Sequence, residues 1–200
     1  MAHESEGEAL ARRFQRERVQ ELVTELLEAM GEDPGREGLK QTPSRVAQMF
    51  EELLSGTNQQ SESFLGSMFP AGHEEMVILR DISFFSLCEH HLLPFFGSAA
   101  IAYLPAGRLA GLSKLARVVD THARRLQVQE RLTDEITTTL ERGLRPRGLA
   151  VALTAEHLCM SMRGAARPGH STVTVATRGE LATNPAAREE ALRLMAAPRP

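Results

Sequence analysis

The fold class follows from residues 76–104, which read MVILRDISFFSLCEHHLLPFFGSAAIAYL. Residues 76–87 are rich in Val, Ile, Leu and Phe, and residues 98–104 form a short apolar segment that Pro105 closes. Both patterns are typical of strands. Two strands that follow one another argue against a sheet in which every strand is succeeded by a helix.

Helical and strand patterns occur in blocks along the rest of the chain. The predicted elements are helices at 18–30 and 42–56, strands at 76–87 and 98–104, two helices between 113 and 144 that are broken near Gln127, strands at 149–155 and 172–177, and a helix at 185–195. Thr42 is the predicted N-cap of the second helix, and residues 57–75 are a polar connection. The order ααββααββα predicts an antiparallel α+β fold instead of a doubly wound parallel sheet.

The composition excludes several classes of protein. With 42% hydrophobic and 24% charged residues, the chain is an ordinary globular sequence. Its net charge of −3 provides no basic field to attract nucleic acid. No apolar run approaches the length of a membrane span, and the acidic N-terminus is unlike a secretion signal. Two cysteines are too few for a disulfide scaffold. Taken together, these features predict a cytoplasmic protein without membrane or nucleic-acid partners.

Cysteine and histidine cluster where two predicted strands end. Cys88-Glu89-His90-His91 follows the first strand, and His157-Leu158-Cys159 follows the third. A Cys-x-x-His step lets one tight turn present two ligands to one ion, and residues 157 and 159 lie on the same side if that segment is extended. The candidate donors for a tetrahedral zinc ion are Cys88, His90 or His91, His157 and Cys159.

Simple burial, redox chemistry and a deaminase site fit these residues less well than a metal centre. Isolated cysteines are often buried without further function, but here both stand beside histidines at ligand spacing. Redox use is not indicated, because no C-x-x-C occurs. His73-Glu74-Glu75 matches half of a nucleoside deaminase motif, but the P-C-x-x-C half is absent.

Candidate anion-binding residues accompany the cluster. Gly111-Leu112-Ser113-Lys114 opens a predicted helix, where free backbone N–H groups and the macrodipole favour phosphate. A lysine at a helix start opposes the dipole unless an anion is present. Arg117 lies one turn further on, and Arg163 follows Cys159 by four residues. Each arginine taken singly is also compatible with a solvated surface.

Five segments together resemble the zinc-dependent form of the GTP cyclohydrolase I family. They are TPSRVA at 42–47, CEHH at 88–91, GLSKLAR at 111–117, QVQERLT at 127–133 and HLC at 157–159, in a resemblance that runs from about Arg18 to Met195. The chain departs from the family at Gln48, where some members have lysine. It also departs at residues 179–185, where the family usually has an aromatic residue and a longer insert.

The resemblance implies a role for each matching residue. It makes Cys88, His91 and Cys159 the ligands of Zn²⁺, and His90, His157 and Ser113 the residues that assist proton transfer and ribose opening. Glu130 and Gln129 would hold the guanine edge. The residues implied to line the triphosphate pocket are Arg45, Ser113, Lys114, Arg117 and Arg163.

The resemblance also implies the architecture. The family has the tunnelling fold, a four-stranded antiparallel sheet with a helix pair, and this chain adds an N-terminal helical extension. We therefore expect a flexible N-terminus at 1–17, a helical region with its connection at 18–75, and the catalytic domain at 76–200. Subunits of the family assemble into a toroidal homodecamer of two face-to-face pentamers, with each active site built from neighbouring subunits.

The reaction implied is the first step of folate and pterin biosynthesis. Hydrolysis opens the imidazole ring of GTP at cyclic amidine C–N bonds, C8 leaves as formate, and the product rearranges to 7,8-dihydroneopterin triphosphate. Three alternatives stay open at this stage. They are a paralogue with the same first reaction in a deazapurine pathway, a same-fold nitrile reductase with a cysteine nucleophile and NADPH, and a zinc-binding subunit without turnover.

Overall fold

The computed structural model describes residues 14–59, 61–66, 68–70 and 72–197. The chain divides into two compact units, Met1–Leu54 and Ser55–Pro200. Most of the predicted flexible N-terminus lies outside the described residues, although residues 16 and 17 already belong to a helix. Within the part of the chain that is described, none of the helices has both the length and the apolar character needed to span a bilayer.

The first unit contains two α-helices, α1 (Arg16–Ala29) and α2 (Thr42–Leu53). Val23 and Leu27 on α1 and Ala47 on α2 are buried, as the helical period predicts. The prediction of Thr42 as N-cap is wrong. Gln41 occupies the cap position without a side-chain cap bond, and Thr42 is the first helical residue, with Pro43 directly after it in the first turn where its missing N–H costs nothing.

The second unit is an antiparallel sheet with helices on it. Its elements in chain order are a 3₁₀ helix (Ser61–Gly66), β1 (Met68–Pro70), β2 (Val77–Cys88), β3 (Pro94–Leu104), β4 (Arg108–Ala110), α3 (Leu112–Ala123), β5 (Leu126–Gln127), α4 (Gln129–Leu144), β6 (Gly148–His157), α5 (Leu158–Ser161), β7 (Thr172–Gly179), α6 (Glu180–Thr183) and α7 (Pro185–Met195).

The main sheet has the strand order β5-β2-β3-β6-β7. The strands β2, β3, β6 and β7 pair antiparallel, which confirms the predicted α+β class and its four-stranded antiparallel sheet. The two-residue strand β5 adds a parallel pairing beside β2, and β1 and β4 form a separate two-stranded ribbon. The sequence pattern does not predict these short strands, because two or three residues are too few to show a period.

β3 begins four residues earlier than predicted, because its first residues pair with the neighbouring strand β6. Pro94 is tolerated as the first residue of a strand. Gly97 weakens the strand pattern, but it lies against β6 so closely that an added Cβ would stand 1.9 Å from the Thr154 carbonyl oxygen. Close backbone approach therefore requires glycine there.

The core lies between one face of the sheet and the helix pair α3 and α4. Alternate residues of the strands meet the apolar stripes of the two helices, as in other α+β layers. Fully buried members include Leu115, Val118, Leu132, Ile136, Leu140, Phe95, Ile101, Leu149 and Leu153. The helices α6 and α7 cover part of the opposite face with Leu181, Ala191 and Met195. The core thus fixes the strand ends that carry the site.

A buried polar network holds β5 against the end of β2. Gln127 is buried and donates from Nε2 to Glu135 Oε2 at 2.8 Å, while Arg131 Nε donates to Gln127 Oε1 at 2.9 Å. The buried ring of His122 contacts Glu135 Oε2 through Nδ1 at 3.3 Å. Hydrogen bonding to His122 is the main reason why the pKa of Glu135 is lowered. The Gln127 carbonyl accepts the N–H of Glu89, so this network reaches the residue next to Cys88.

Candidate active site

The turn between β2 and β3 presents Cys88 and His91. The Cys88 N–H donates to the Leu93 carbonyl at 2.9 Å, and the Cys88 carbonyl accepts the N–H groups of His91 and Leu92 at 3.3 and 2.8 Å. Leu92 has a φ of +55°, an uncommon conformation for a residue with a branched side chain. These backbone hydrogen bonds fix the path of the turn from which the two side chains extend.

Cys159 reaches the turn by a different route from the one predicted. The condition that residues 157–159 are extended is not met, because β6 ends at His157 and the short helix α5 begins at Leu158. The helical turn separates the directions of His157 and Cys159, which an extended strand would have left on one face. As a result Cys159 joins the cysteine–histidine turn, and His157 stays at the end of its strand.

Three ligand atoms converge at this point. Cys88, His91 and Cys159 each offer one ligand atom, and these three atoms all lie within 4.8 Å of one another. Among the described residues, the group consists of these three. Burial raises the pKa of the Cys159 thiol, and the adjacent Cys88 raises it further. Two thiols this close together suit a divalent cation, because metal binding displaces the thiol protons. Two sulfurs and one imidazole also match a zinc centre with three protein ligands and one open position.

Two more histidines lie beside the cluster. His90 Nδ1 is 3.9 Å from Cys88 Sγ. The ring of His157 stacks on Phe95, with 4.9 Å between centroids and 3° between planes, because the two residues are partners in the β3–β6 register. Burial and the nearby His170 lower the pKa of His157, and Glu130 partly offsets this.

A cavity of about 180 Å³ opens between the cluster and the start of α4. Its lining consists of Cys88, His90, Phe95, Gln127, Val128, Gln129, Glu130, His157 and Cys159. The strand ends of β2, β5 and β6 and the first residues of α4 thus bring together the predicted guanine-binding pair, both flanking histidines and two of the three cluster residues.

Gln129 is held in a defined orientation inside this cavity. Its Nε2 donates to the carbonyls of Leu153 and Thr172 at 3.1 and 3.0 Å and contacts Thr174 Oγ1 at 3.1 Å. Its Oε1 is buried and has no hydrogen-bond partner among the described residues. A buried acceptor without a partner lowers the stability of the fold, so we expect a donor from a bound ligand to pair with this oxygen.

Among the described residues that line this cavity, none is a predicted anion-binding residue. Ser113 and Lys114 lie in the first turn of α3, as predicted, and the Arg117 guanidinium stands 4.2 Å above the ring of Phe64. Arg163 lies just beyond α5, near enough for its charge to offset a small part of the rise in the pKa of Cys159. Arg45 is an exposed residue of α2 in the first unit.

Sequence reasoning missed two residues of the site. Phe95 supplies the surface on which His157 stacks, and His170 packs its ring beside His157 with 6.2 Å between centroids. Neither residue belongs to a motif, since Phe95 lies in an apolar run and His170 is 11 positions beyond Cys159. The pairing of β3 with β6 brings Phe95 to the cavity wall, and the loop before β7 brings His170 beside His157.

Comparison with known proteins identifies a family whose match covers the site residues described above. A family model described as GTP cyclohydrolase I matches residues 19–196. The GTP cyclohydrolase 1 of Halalkalibacterium halodurans is 51% identical over 180 residues, which are 90% of this chain and 96% of that protein. The GTP cyclohydrolase 1 of Streptomyces griseus is 50% identical over 194 residues, 96% of either chain. The crystal structure of the archaeosine synthase QueF-Like in the apo form aligns with 55% of this chain and 97% of that chain, at 16% identity and a TM-score of 0.46.

Proposed function

Because this chain belongs to the GTP cyclohydrolase I family, we propose that its cysteine–histidine cluster and the adjoining cavity carry out that family's reaction. The enzyme is a hydrolase that opens the imidazole ring of GTP, releases C8 as formate and yields 7,8-dihydroneopterin triphosphate. The observation that carries the proposal is the convergence of Cys88, His91 and Cys159 next to a cavity lined by His157 and Glu130. All five residues lie in the proposed catalytic domain, residues 76–200.

Zn²⁺ is the metal that the three donors suit best. Cys88, His91 and Cys159 would hold it, because thiolate and imidazole are its preferred ligands and a fourth position stays open for chemistry. A zinc ion bound there would act as a Lewis acid that makes water a competent nucleophile near pH 7. The two unpaired thiols also favour a reducing compartment, so we place the enzyme in the cytoplasm.

His157 and His90 are the proposed proton carriers. C8 of a purine is a poor electrophile, and proton delivery to N7 as the C8–N bond weakens lowers the barrier. His157 lies on the cavity wall with its ring oriented by Phe95, and we assign it this step. His90 on the same wall and Ser113 at the start of α3 would assist opening of the ribose and the later rearrangement.

The guanine edge would bind to two acceptors at the start of α4. Guanine presents N1–H and a 2-amino group as neighbouring donors. The Glu130 carboxylate lines the cavity, and the buried Gln129 Oε1 has no donor among the described residues. Because the Gln129 amide nitrogen already donates to two strand carbonyls, its oxygen is the atom that stays available for the ligand.

The triphosphate would be held by cations from more than one subunit. The proposed residues are Arg45, Lys114, Arg117 and Arg163, with Ser113 at the helix start. Lys114 and Ser113 occupy the first turn of α3, where backbone N–H groups favour an anion. Since the cavity lining of one chain includes none of these residues, neighbouring subunits are proposed to complete the pocket.

We expect a large symmetric oligomer, in agreement with that requirement. β7 is an edge strand whose Val173 and Val175 side chains are 61% and 46% exposed. An open edge with exposed apolar residues favours pairing with another chain, and a closed ring satisfies every edge. Analytical ultracentrifugation should give the mass of a decamer built from two pentamers. A stable and fully active monomer would contradict the proposal.

The His157→Ala variant should retain its zinc and lose turnover by about 10²-fold or more, because the residue is assigned to protons and not to the metal. Zinc content and formate release are measured on the same sample. His157→Phe is the matched control, since it keeps the stacked ring on Phe95 but has no nitrogen, and it should be equally slow. If zinc is lost in step with activity, His157 is a ligand and the assignment is wrong.

The function itself is tested by incubating the zinc-loaded enzyme with GTP. We expect formate and a product that becomes fluorescent after oxidation, in equal amounts. The same-fold nitrile reductase is not favoured, because its cysteine chemistry needs no metal and leaves the convergence of His91 and Cys159 on Cys88 unexplained. NADPH oxidation in the presence of a nitrile substrate, without formate release from GTP, would reverse that conclusion.

A further inference from the structure

His170 lies in the loop between α5 and β7, outside every motif of the sequence. Its ring packs against that of His157, with 6.2 Å between centroids and 27° between planes. His157 itself makes no hydrogen bond to the described residues through either ring nitrogen, although it stacks on Phe95. An imidazole that moves protons needs a partner that decides which nitrogen carries the proton. Stacking on a phenyl ring does not provide such a partner.

One nitrogen of His170 is suited to that task. The Nδ1 of His170 is 2.7 Å from the Arg167 carbonyl, and because a carbonyl only accepts, Nδ1 must carry the proton. In the tautomer with the proton on Nδ1, Nε2 is the acceptor nitrogen. This atom is buried and has no hydrogen-bond partner among the described residues, like Gln129 Oε1 in the cavity. A buried acceptor in this condition points to a donor that engages it at another stage.

The loop holds His170 firmly beside the end of β6. Glu156 Oε1 accepts the Ser161 hydroxyl at 2.5 Å and the Gly169 N–H at 3.3 Å. These two donors lower the pKa of Glu156, with Ser161 the larger cause. The Arg167 N–H donates to the Met160 carbonyl at 3.0 Å. The loop is thus tied to the residue that precedes His157, and the two imidazoles are carried by one frame.

We propose that His170 is a positioning residue for His157, and that its Nε2 accepts the N–H of the His157 ring when nucleotide is bound. The inference rests on the proposed function of His157. Because the two rings lie nearly parallel, one of them has to turn as well as approach before their in-plane nitrogens can form a hydrogen bond. Hydrogen bonds of catalytic groups are often long in the free enzyme and shorten in the complex. The bond would hold one tautomer of His157, whose other nitrogen then faces the nucleotide, where it can take up the proton released by the attacking water and pass it to N7.

Two substitutions separate this role from simple support of the loop. His170→Asn keeps a donor near Nδ1 for the Arg167 carbonyl but removes the acceptor at Nε2. His170→Gln places an amide oxygen near Nε2 and gives up the bond to Arg167. We expect kcat of His170→Asn to fall between about 10- and 100-fold with little change in KM for GTP, as part of the proton-transfer contribution. His170→Gln should retain most of the activity. The reverse order, with Gln slow and Asn normal, would overturn the proposal.

A double-mutant cycle tests whether His170 acts through His157. In the His157→Phe background, His170→Asn should cause no further loss of kcat, because the partner is already gone. A further loss of the same size would show that His170 acts on the nucleotide directly, and would refute the positioning role.

A third readout does not depend on turnover. In enzyme labelled with ¹⁵N-histidine and supplied with GTP, the His157 signals are those absent from His157→Phe. They should show one tautomer in the wild type and a mixture in His170→Asn. Identical signals in the two proteins would count against His170. If the wild type released no formate from GTP, the proposed function would fail, while this readout would still judge the contact between the histidines.

Discussion

The Cys88→Ala variant is expected to lose its zinc and its activity together. Cys88 and Cys159 supply two of the three ligand atoms that lie within 4.8 Å of one another, so that one deletion leaves a two-ligand site. Loss of a partner that merely orients a ligand already costs about 10–100-fold in metal affinity or activity, and loss of a ligand should cost more. Metal content by atomic absorption and formate release from GTP are the measurements. Cys159→Ala should behave in the same way.

Two comparisons make this prediction specific. Wild-type enzyme stripped with a chelator should recover when zinc is returned, whereas Cys88→Ala should not recover at the same zinc concentration. His90→Gln is the matched control, because His90 lies 3.9 Å from Cys88 Sγ but is not in the three-residue group. It should lose turnover and keep its metal. Full zinc occupancy in Cys88→Ala would mean that the ligand set is wrong.

The second large effect concerns the choice of base. With Glu130 and Gln129 Oε1 as paired acceptors, ATP should be rejected by about 10⁴–10⁵-fold in kcat/KM, since adenine has no N1–H and places a lone pair against the carboxylate. ITP retains N1–H but lacks the 2-amino group, so its kcat/KM should fall between those of GTP and ATP. The Glu130→Gln variant should lose most of its GTP turnover, because the amide NH₂ group would face a donor of guanine, either N1–H or the 2-amino group. Steady-state kinetics with the three nucleotides is the measurement.

The competing interpretation is that Glu130 only stabilises the start of α4. An acid in the first turn favours the helix dipole by about 0.3–1 kcal/mol, which would appear as a small decrease in Tm. Glu141→Gln, which removes an acid near the other end of the same helix, is the control and should leave GTP kinetics unchanged. Wild-type kcat/KM in Glu130→Gln, with zinc content and oligomer size preserved, would assign the guanine contact to another residue.

Most of the secondary structure can be predicted because its signals are local. The predicted helix at 185–195 agrees with α7, Pro185–Met195, since an amphipathic stripe behind Asn184 and Pro185 carries its own start signal. The predicted strand at 98–104 is shorter than β3, because the propensities of Pro94 and Gly97 oppose a strand that the neighbouring backbone of β6 favours. The helix α5 has no counterpart in the prediction because four residues show no helical period.

In the candidate site, too, some features follow from local sequence and others only from the fold. Residue types and their spacing are sufficient to select the Cys-x-x-His turn and the two cysteines, because ligand chemistry depends on the side chain. They leave His90 and His91 as alternatives, since either follows Cys88 closely enough. The choice between them depends on the path of the turn, and in the structure His91 is the residue whose ring meets both sulfurs.

The linear sequence determined the order of the elements, the donor atoms and the acidic and amide groups at the start of α4, because each depends on neighbours within a few residues. Tertiary structure alone decided that β6 stops at His157 and turns Cys159 toward Cys88. It also decided that the amide nitrogen of Gln129 donates hydrogen bonds to carbonyls of β6 and β7, and that His170 lies beside His157. These relations join residues 13 to 71 positions apart, and sheet pairing brings such residues together without leaving a pattern in the sequence.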